Sequence, residues 1–217
     1  MSEQAASRLD RRRARTRAAL IGAAQELLAE DRTNVSVLEI TQAADVGLGS
    51  FYNHFDSKEE LFQAAVDQVL EAHGELMDRV TEGIDDPAEV FARAFRLTGR
   101  LHRRLPGASR VMLHHGPELI MSDHGLAPRA LRDIKAALEA GRFTTADPEL
   151  ALVAAGGAVL ALGQLLHDQP DRDEAASADA LTADLLRMFG LDAAEAEEIC
   201  RRPLPDLDEL IAPASDA

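Results

Sequence analysis

Aromatic residues are scarce in this chain: of 217 residues, seven are phenylalanine, one is tyrosine and none is tryptophan. A core so poor in rings and so rich in alanine and leucine favours helices over sheets, so an all-α protein is expected. Cysteine occurs once, at Cys200, which excludes an internal disulfide. The N-terminus MSEQAASRLDRRRARTR lacks the apolar stretch that directs export, which points to the cytoplasm. Long apolar runs are absent apart from Leu150 to Leu166, whose three glycines, one glutamine and missing basic flanks favour a buried helix over a membrane span. No nucleophile motif, glycine-rich phosphate loop or paired carboxylates stand out, so no enzyme activity and no cofactor are expected. His102, His114, His115 and His124 gather in one stretch, but their spacing matches no zinc pattern, and no metal is expected.

Net positive charge is lacking as well. The formal charge of −15 opposes a polyanionic partner on average, yet the average hides an asymmetry. Residues 1–20 hold six arginines (Arg8, Arg11, Arg12, Arg13, Arg15 and Arg17) against Glu3 and Asp10, while residues 61–217 hold a net −13. Only the N-terminal part can meet a polyanion without general repulsion.

What is present begins with an amphipathic helix. From Arg8 to about Glu30, Leu20, Ile21, Ala24, Leu27 and Leu28 fall on one helical stripe. The arginines prolong this helix, as a basic arm toward DNA or as a solvated basic tail. Ser36 and Glu39 have the spacing of a capping box, so a short helix starts near Val37, with Val37, Ile40 and Ala44 as its buried face. Asp45, Val46 and Gly47 form a tight turn in which Gly47 can take a positive φ. A third helix then begins near Leu48. On a helical wheel Leu48, Phe51, Tyr52 and Phe55 share one direction, whereas Gly49, Ser50, Asn53 and His54 face the other way. Ser57 and Glu60 repeat the capping pattern and open a long helix to about Glu82; Lys58 in its first turn is disfavoured by the helix dipole unless a phosphate lies nearby.

Two short helices joined by a tight turn, behind an arginine-rich helix, have the form of a helix-turn-helix. The segment SVLEITQAADVGLGSFYNHFDSKEELF, residues 36–62, resembles the DNA-binding signature of TetR-family transcriptional regulators, most specifically in Tyr52, Asn53, His54, Phe55, Ser57, Lys58, Glu59 and Leu61. By that resemblance Ser36, Val37, Ser50, Tyr52, Asn53, His54 and Lys58 match positions that commonly touch DNA, and Gly49 matches one close to it. The family often carries glycine where Asp45 stands, serine where Gly47 stands and threonine where Ser50 stands, so base preference does not transfer.

Further helices are expected at 87–104, 107–115, 126–141, 147–168, 174–189 and 192–201, about nine to ten in all, separated by proline and glycine. The expected organisation is a DNA-binding domain over residues 8–56, a helical effector-binding and dimerisation domain over 57–201, and a poorly ordered acidic tail over 202–217 with at most one turn around Leu207 to Ile211. Phe91, Phe95, Met112 and His115 are candidate pocket residues, with ordinary core as the competing reading of the first three. Arg96, Arg100, Arg103 and Arg104 either receive an acidic effector or lie exposed. Ala154, Gly157, Ala158, Leu181, Leu185 and Met188 are candidates for a dimer interface of paired helices. The expected partners are an operator in double-stranded DNA, a second copy of the chain and a small-molecule effector; no membrane is involved.

Overall fold

The computed structural model describes residues 2–211, with side chains from residue 10 onward except residue 117. Among these residues the secondary structure is helical throughout. The chain divides into two compact units, residues 1–69 and 70–217. The division falls within a helix, thirteen residues beyond the boundary expected at 56.

The first unit holds α1 (Ser2–Ala29), α2 (Val37–Ala43), α3 (Leu48–Phe51) and the first half of α4 (Lys58–Thr81). Its core is the stripe of α1, with Leu20, Ala24, Leu27 and Leu28 at most 4% exposed, together with Ile40, Phe51, Phe55, Leu61, Ala65 and Val66. The capping box at α2 is complete: Ser36 Oγ accepts from the Glu39 amide at 3.2 Å, and the Ser36 amide donates to Glu39 Oε2 at 2.9 Å. At α4 the Glu60 amide donates to Ser57 Oγ at 3.1 Å, while the Glu60 carboxylate reaches back to the Asp56 amide at 2.7 Å.

Two local expectations need correction. The left-handed residue of the turn is Asp45, φ 51°, while Gly47 has an extended φ of −67° and caps α3. Aspartate tolerates this conformation better than most side chains, which is why the turn closes without a glycine at that position. The second concerns α3 itself. Regular helix ends at Phe51, residues 52–54 continue as a turn, and only Phe51 and Phe55 are buried, at 0% and 2%. Leu48 and Tyr52, which the wheel grouped with them, are 48% and 61% exposed because a single turn of helix cannot bury every residue of a broad apolar arc.

The second unit contains the remainder of α4 and α5 (Pro87–Arg104), α6 (Pro106–Ile120), α7 (Leu126–Glu139), α8 (Pro148–Asp168), α9 (Glu174–Met188), α10 (Ala193–Arg201) and α11 (Leu207–Ile211). Aspartates cap four of these helices: Asp86, Asp147, Asp173 and Asp192 each accept a hydrogen bond from a first-turn amide. Gly116, expected to end α6, instead kinks it at φ 24°, ψ −106°, and the helix resumes to Ile120. Helix α8 is long and apolar enough to cross a membrane by composition. It packs against α5, α6, α7 and α9 in this unit. Around it, Phe91, Phe95, Phe143 and Phe189 form a cluster with ring centroids 5.1–5.9 Å apart.

Ion pairs close the far side of this core. Arg96, 5% exposed, donates to Asp179 at 2.7 Å and to the Arg202 carbonyl at 2.9 Å, and Arg100 joins the same aspartate at 2.8 Å. Arg103 donates to the carbonyls of Gln169 and Arg172, and Arg104 to Asp208. All four arginines are thus engaged within the unit, a structural role rather than an acidic-effector site; of the two readings, exposure holds for Arg104 but not for the buried Arg96. The first part of the expected tail is also packed: Leu204, Leu207, Leu210 and Ile211 cover Leu76, Met77, Val80, Leu97 and Leu101. Residues 212–217 lie outside the described residues.

Candidate DNA interface and ligand cavity

In the first unit the candidate residues converge from three elements. Ser36 precedes α2 and Val37 opens it; Gly49 and Ser50 lie on α3; Tyr52, Asn53 and His54 occupy the turn after it; Lys58 begins α4. Tyr52 stands edge-on to the buried Phe51 ring at 5.2 Å, so its base is fixed while its hydroxyl end faces outward. Asn53 is exposed, and its carbonyl accepts from Arg13 Nη2 at 3.4 Å. Arg17 lies over the Phe55 ring at 5.1 Å. Arg13, Arg17 and His54 border one shallow hollow, completed by Asp10 and Ala14. Burial first, then Arg13 and Arg17, lowers the His54 pKa and so favours the neutral ring. The Lys58 ammonium donates to the Val35 carbonyl at 3.2 Å, a partner that sequence reasoning did not supply and that helps hold a cation at the positive end of α4.

The second unit contains a partly open cavity of about 120 Å³. Phe91, Phe95, Met112, Ile120, Leu152, Ala155 and Val159 give it an apolar wall, interrupted by Thr98, His102, His124, Arg129 and Asp133. Of the four residues expected at a pocket, Phe91, Phe95 and Met112 line this cavity and His115 does not; it lies half-buried on α6 beside His114, its Nε2 without a hydrogen-bond partner. Thr98, Arg129 and Asp133 were missed, whereas His102 and His124 belong to the histidine group already noted in the sequence. The available signal was Arg129 and Asp133 at i and i+4 beside Ala130 and Ile134, charges on the edge of an apolar helix face.

These polar groups are held firmly. Arg129 crosses α4 at Gly74, where an added Cβ would lie 2.6–2.9 Å from the arginine side chain. It donates to Glu71 at 2.5 Å, to Asp78 at 2.7 Å and to the Gly125 carbonyl at 2.8 Å, and the bonds to the two carboxylates, Glu71 first, raise its pKa further. Burial raises the Asp133 pKa against the opposing effect of Arg132. The His102 tautomer follows from its partners: Nε2 faces the Val159 carbonyl at 3.1 Å and must donate, so Nδ1 accepts from the Ser109 hydroxyl at 2.7 Å. Ser109 Oγ then accepts from His167 Nε2 at 2.8 Å. Gly163 makes room for this ring, since a Cβ there would lie 2.4 Å from it. Burial pushes both His102 and His73, whose Nε2 meets Thr98 Oγ1 at 3.0 Å, down to about 4.

Candidate interface residues separate into two groups. Gly157 and Met188 are exposed and Ala154 and Ala158 half-exposed, but Leu185 is 5% exposed inside the phenylalanine-lined core and Leu181 packs against it. Leu185 is therefore a core residue of its own chain, a correction caused by α9 turning that side toward α5 and α10. Leu150 and Val153, 65% and 42% exposed, extend the exposed apolar face of α8. Among the described residues no group of three or more histidine, cysteine or carboxylate side chains is placed to hold a metal ion.

A helix-turn-helix with outward polar groups and a separate helical unit around a partly polar cavity define a ligand-binding transcription regulator. Family models agree on both parts: "Bacterial regulatory proteins, tetR family" matches residues 20–65 and "Tetracyclin repressor-like, C-terminal domain" matches residues 86–202. Among solved structures, the chain is similar to RolR in complex with resorcinol, 36% identical over 91% of this chain and 98% of that one, TM-score 0.63. Ligand-free RolR is 37% identical over 88% and 98%, TM-score 0.72. A regulatory protein of the tetR family from Rhodococcus RHA1, 21% identical over 82% and 98% with TM-score 0.64, shares the fold. No curated protein sequence matches the chain. The chain belongs to the TetR family of bacterial transcription regulators.

Proposed function

We propose that the protein is a cytoplasmic, non-enzymatic homodimeric repressor that leaves a near-palindromic operator when a small hydroxylated aromatic molecule fills the cavity. The carrying observation is the cavity itself: its size, about 120 Å³, is close to the roughly 150 Å³ apolar site known to take up a benzene ring, and Arg129 and Asp133 lie at its wall. A single ring satisfies the apolar wall. Hydroxyl groups on that ring would meet a guanidinium and a carboxylate, as would those of resorcinol, the ligand of the similar RolR.

In this reading Ser50, Tyr52 and Asn53 meet bases or backbone in the major groove, while Ser36, Val37, His54 and Lys58 contact the flanking phosphates and sugars, and Gly49 lets the backbone come close. The exposed face of α8 with Leu150, Val153, Ala154, Gly157 and Ala158, joined by Met188 of α9, pairs with its copy, and two-fold symmetry sets two recognition helices about one DNA turn, roughly 34–36 Å, apart. An activator or dual regulator built on the same fold is the alternative reading.

The test is selection of binding sites from random duplex DNA, followed by a mobility-shift titration with a panel of single-ring phenols including resorcinol. The proposal expects a salt-sensitive complex on a near-palindrome and its release by at least one phenol. No sequence-selective complex, or a complex indifferent to every phenol that calorimetry finds bound, contradicts it.

A further inference from the structure

We infer that Leu48 reads sequence, by packing its side chain against the 5-methyl group of a thymine in the major groove; the inference rests on the DNA-reading role of α3 proposed above. The fold leaves this leucine unused. Phe51 and Phe55, on the same short helix and the turn after it, are 0% and 2% exposed, whereas Leu48 remains 48% exposed in a unit whose core is already closed by α1, α2 and α4.

Its neighbour makes the same point. Gly49 is exposed, and a Cβ added there would meet nothing within 4 Å. Packing within the unit therefore does not require glycine at this helical position, although glycine costs helix stability. The missing side chain keeps the flank of Leu48 clear for an approaching surface.

The chemistry around Leu48 selects the occupant. Ser50, Tyr52 and Asn53 offer hydrogen-bonding groups on the same helix and turn, and the exposed Arg13 and Arg17 of α1 lie beside His54. A partner suited to those groups is a polyanion with hydrogen-bonding edges, which describes duplex DNA. Among the base edges of the major groove, the thymine methyl is the apolar feature, so an aliphatic side chain on a reading helix has one matching contact there. An apolar partner protein would leave the surrounding polar and basic groups without counterparts.

The experiment uses the full-length protein and a duplex site selected from random sequence. Each symmetric pair of thymines is replaced in turn by uracil, which lacks only the 5-methyl group, and binding is measured by fluorescence anisotropy. For the unaltered protein one pair should weaken binding by about fourfold per half-site, the loss expected for one methyl group no longer removed from water. Leu48→Ala should bind the thymine and uracil sites equally, with a thermal melting curve close to that of the parent because the residue is already 48% exposed. Uracil tolerated at every position of a tightly bound site overturns the inference while leaving the DNA-reading role intact, as does a Leu48→Ala protein that keeps the full thymine preference. Failure to select any site overturns the DNA-reading role and this inference with it.

Discussion

The first unit carries its functional groups on the outside of one turn of helix; the second carries its own on the inside of a bundle. In the first, Phe51 and Phe55 are buried so that Tyr52 and Asn53, between them in sequence, face outward. In the second, α4, α5, α6, α7 and α8 surround a small space whose polar groups come from residues as distant in sequence as Thr98 and Asp133. An external reading surface is a local property of the chain, dictated by a few neighbouring residues. An internal cavity exists only once several helices have packed, and its chemistry depends on which edge of each helix turns inward.

The largest effect that sharpens this contrast is on the anchor of the reading surface. Phe51→Ala should destabilise the first unit by about 3–5 kcal/mol, seen as an early melting transition, because it empties a fully buried site. Tyr52→Ala, one residue away and mostly exposed, should change stability by less than about 1 kcal/mol while abolishing the mobility shift on the selected operator. Equal destabilisation by the two would erase the distinction between anchor and reading side chain.

Acid should act mainly on the second unit. His73 and His102 titrate near 4 in the folded protein but at roughly 6.5 when unfolded, so the unfolded chain binds protons first as pH falls. The stability associated with their neutral forms is complete above about pH 6.5 and is lost as pH falls toward 4. Between pH 7 and pH 5 the loss is on the order of 1–2 kcal/mol for each histidine. Calorimetric melting should shift downward over that range, and His73→Met should flatten the dependence; a melting temperature that rises on acidification would contradict the buried neutral state.

A smaller effect belongs to Ser36, whose hydroxyl caps α2. Ser36→Ala should cost about 1 kcal/mol in the first unit, measured by urea unfolding, with Ser36→Gly milder by several tenths. A change confined to the second transition would misplace the cap.

The same contrast explains how far sequence reasoning reached. The all-helical fold and most helix limits were legible because Asp-Pro pairs, aspartate caps and glycines punctuate the second unit, as at Asp86, Asp147, Asp173 and Gly190. Where a breaker bent a helix without ending it, at Gly116, the expected end was too early. The motif from Ser36 to Leu61 located the DNA-reading candidates, yet it did not reveal that Asp45 takes the left-handed turn position or that Lys58 has the Val35 carbonyl as partner, since both depend on backbone geometry. In the cavity the apolar lining was partly anticipated through Phe91, Phe95 and Met112. Its charged groups were not, because Arg129 reaches the wall only by crossing α4 at Gly74, some fifty residues away in sequence.

The central claim, that occupancy of the cavity governs DNA affinity, is tested most directly by fluorescence anisotropy of the selected operator titrated with resorcinol, for the parent protein and for Ala130→Phe, which fills the cavity. The account predicts release of DNA from the parent at rising resorcinol, and for Ala130→Phe an operator affinity that is already lowered and no longer responds to resorcinol. Calorimetric binding of resorcinol to the parent with unchanged operator affinity, or equal release from both proteins, would contradict it.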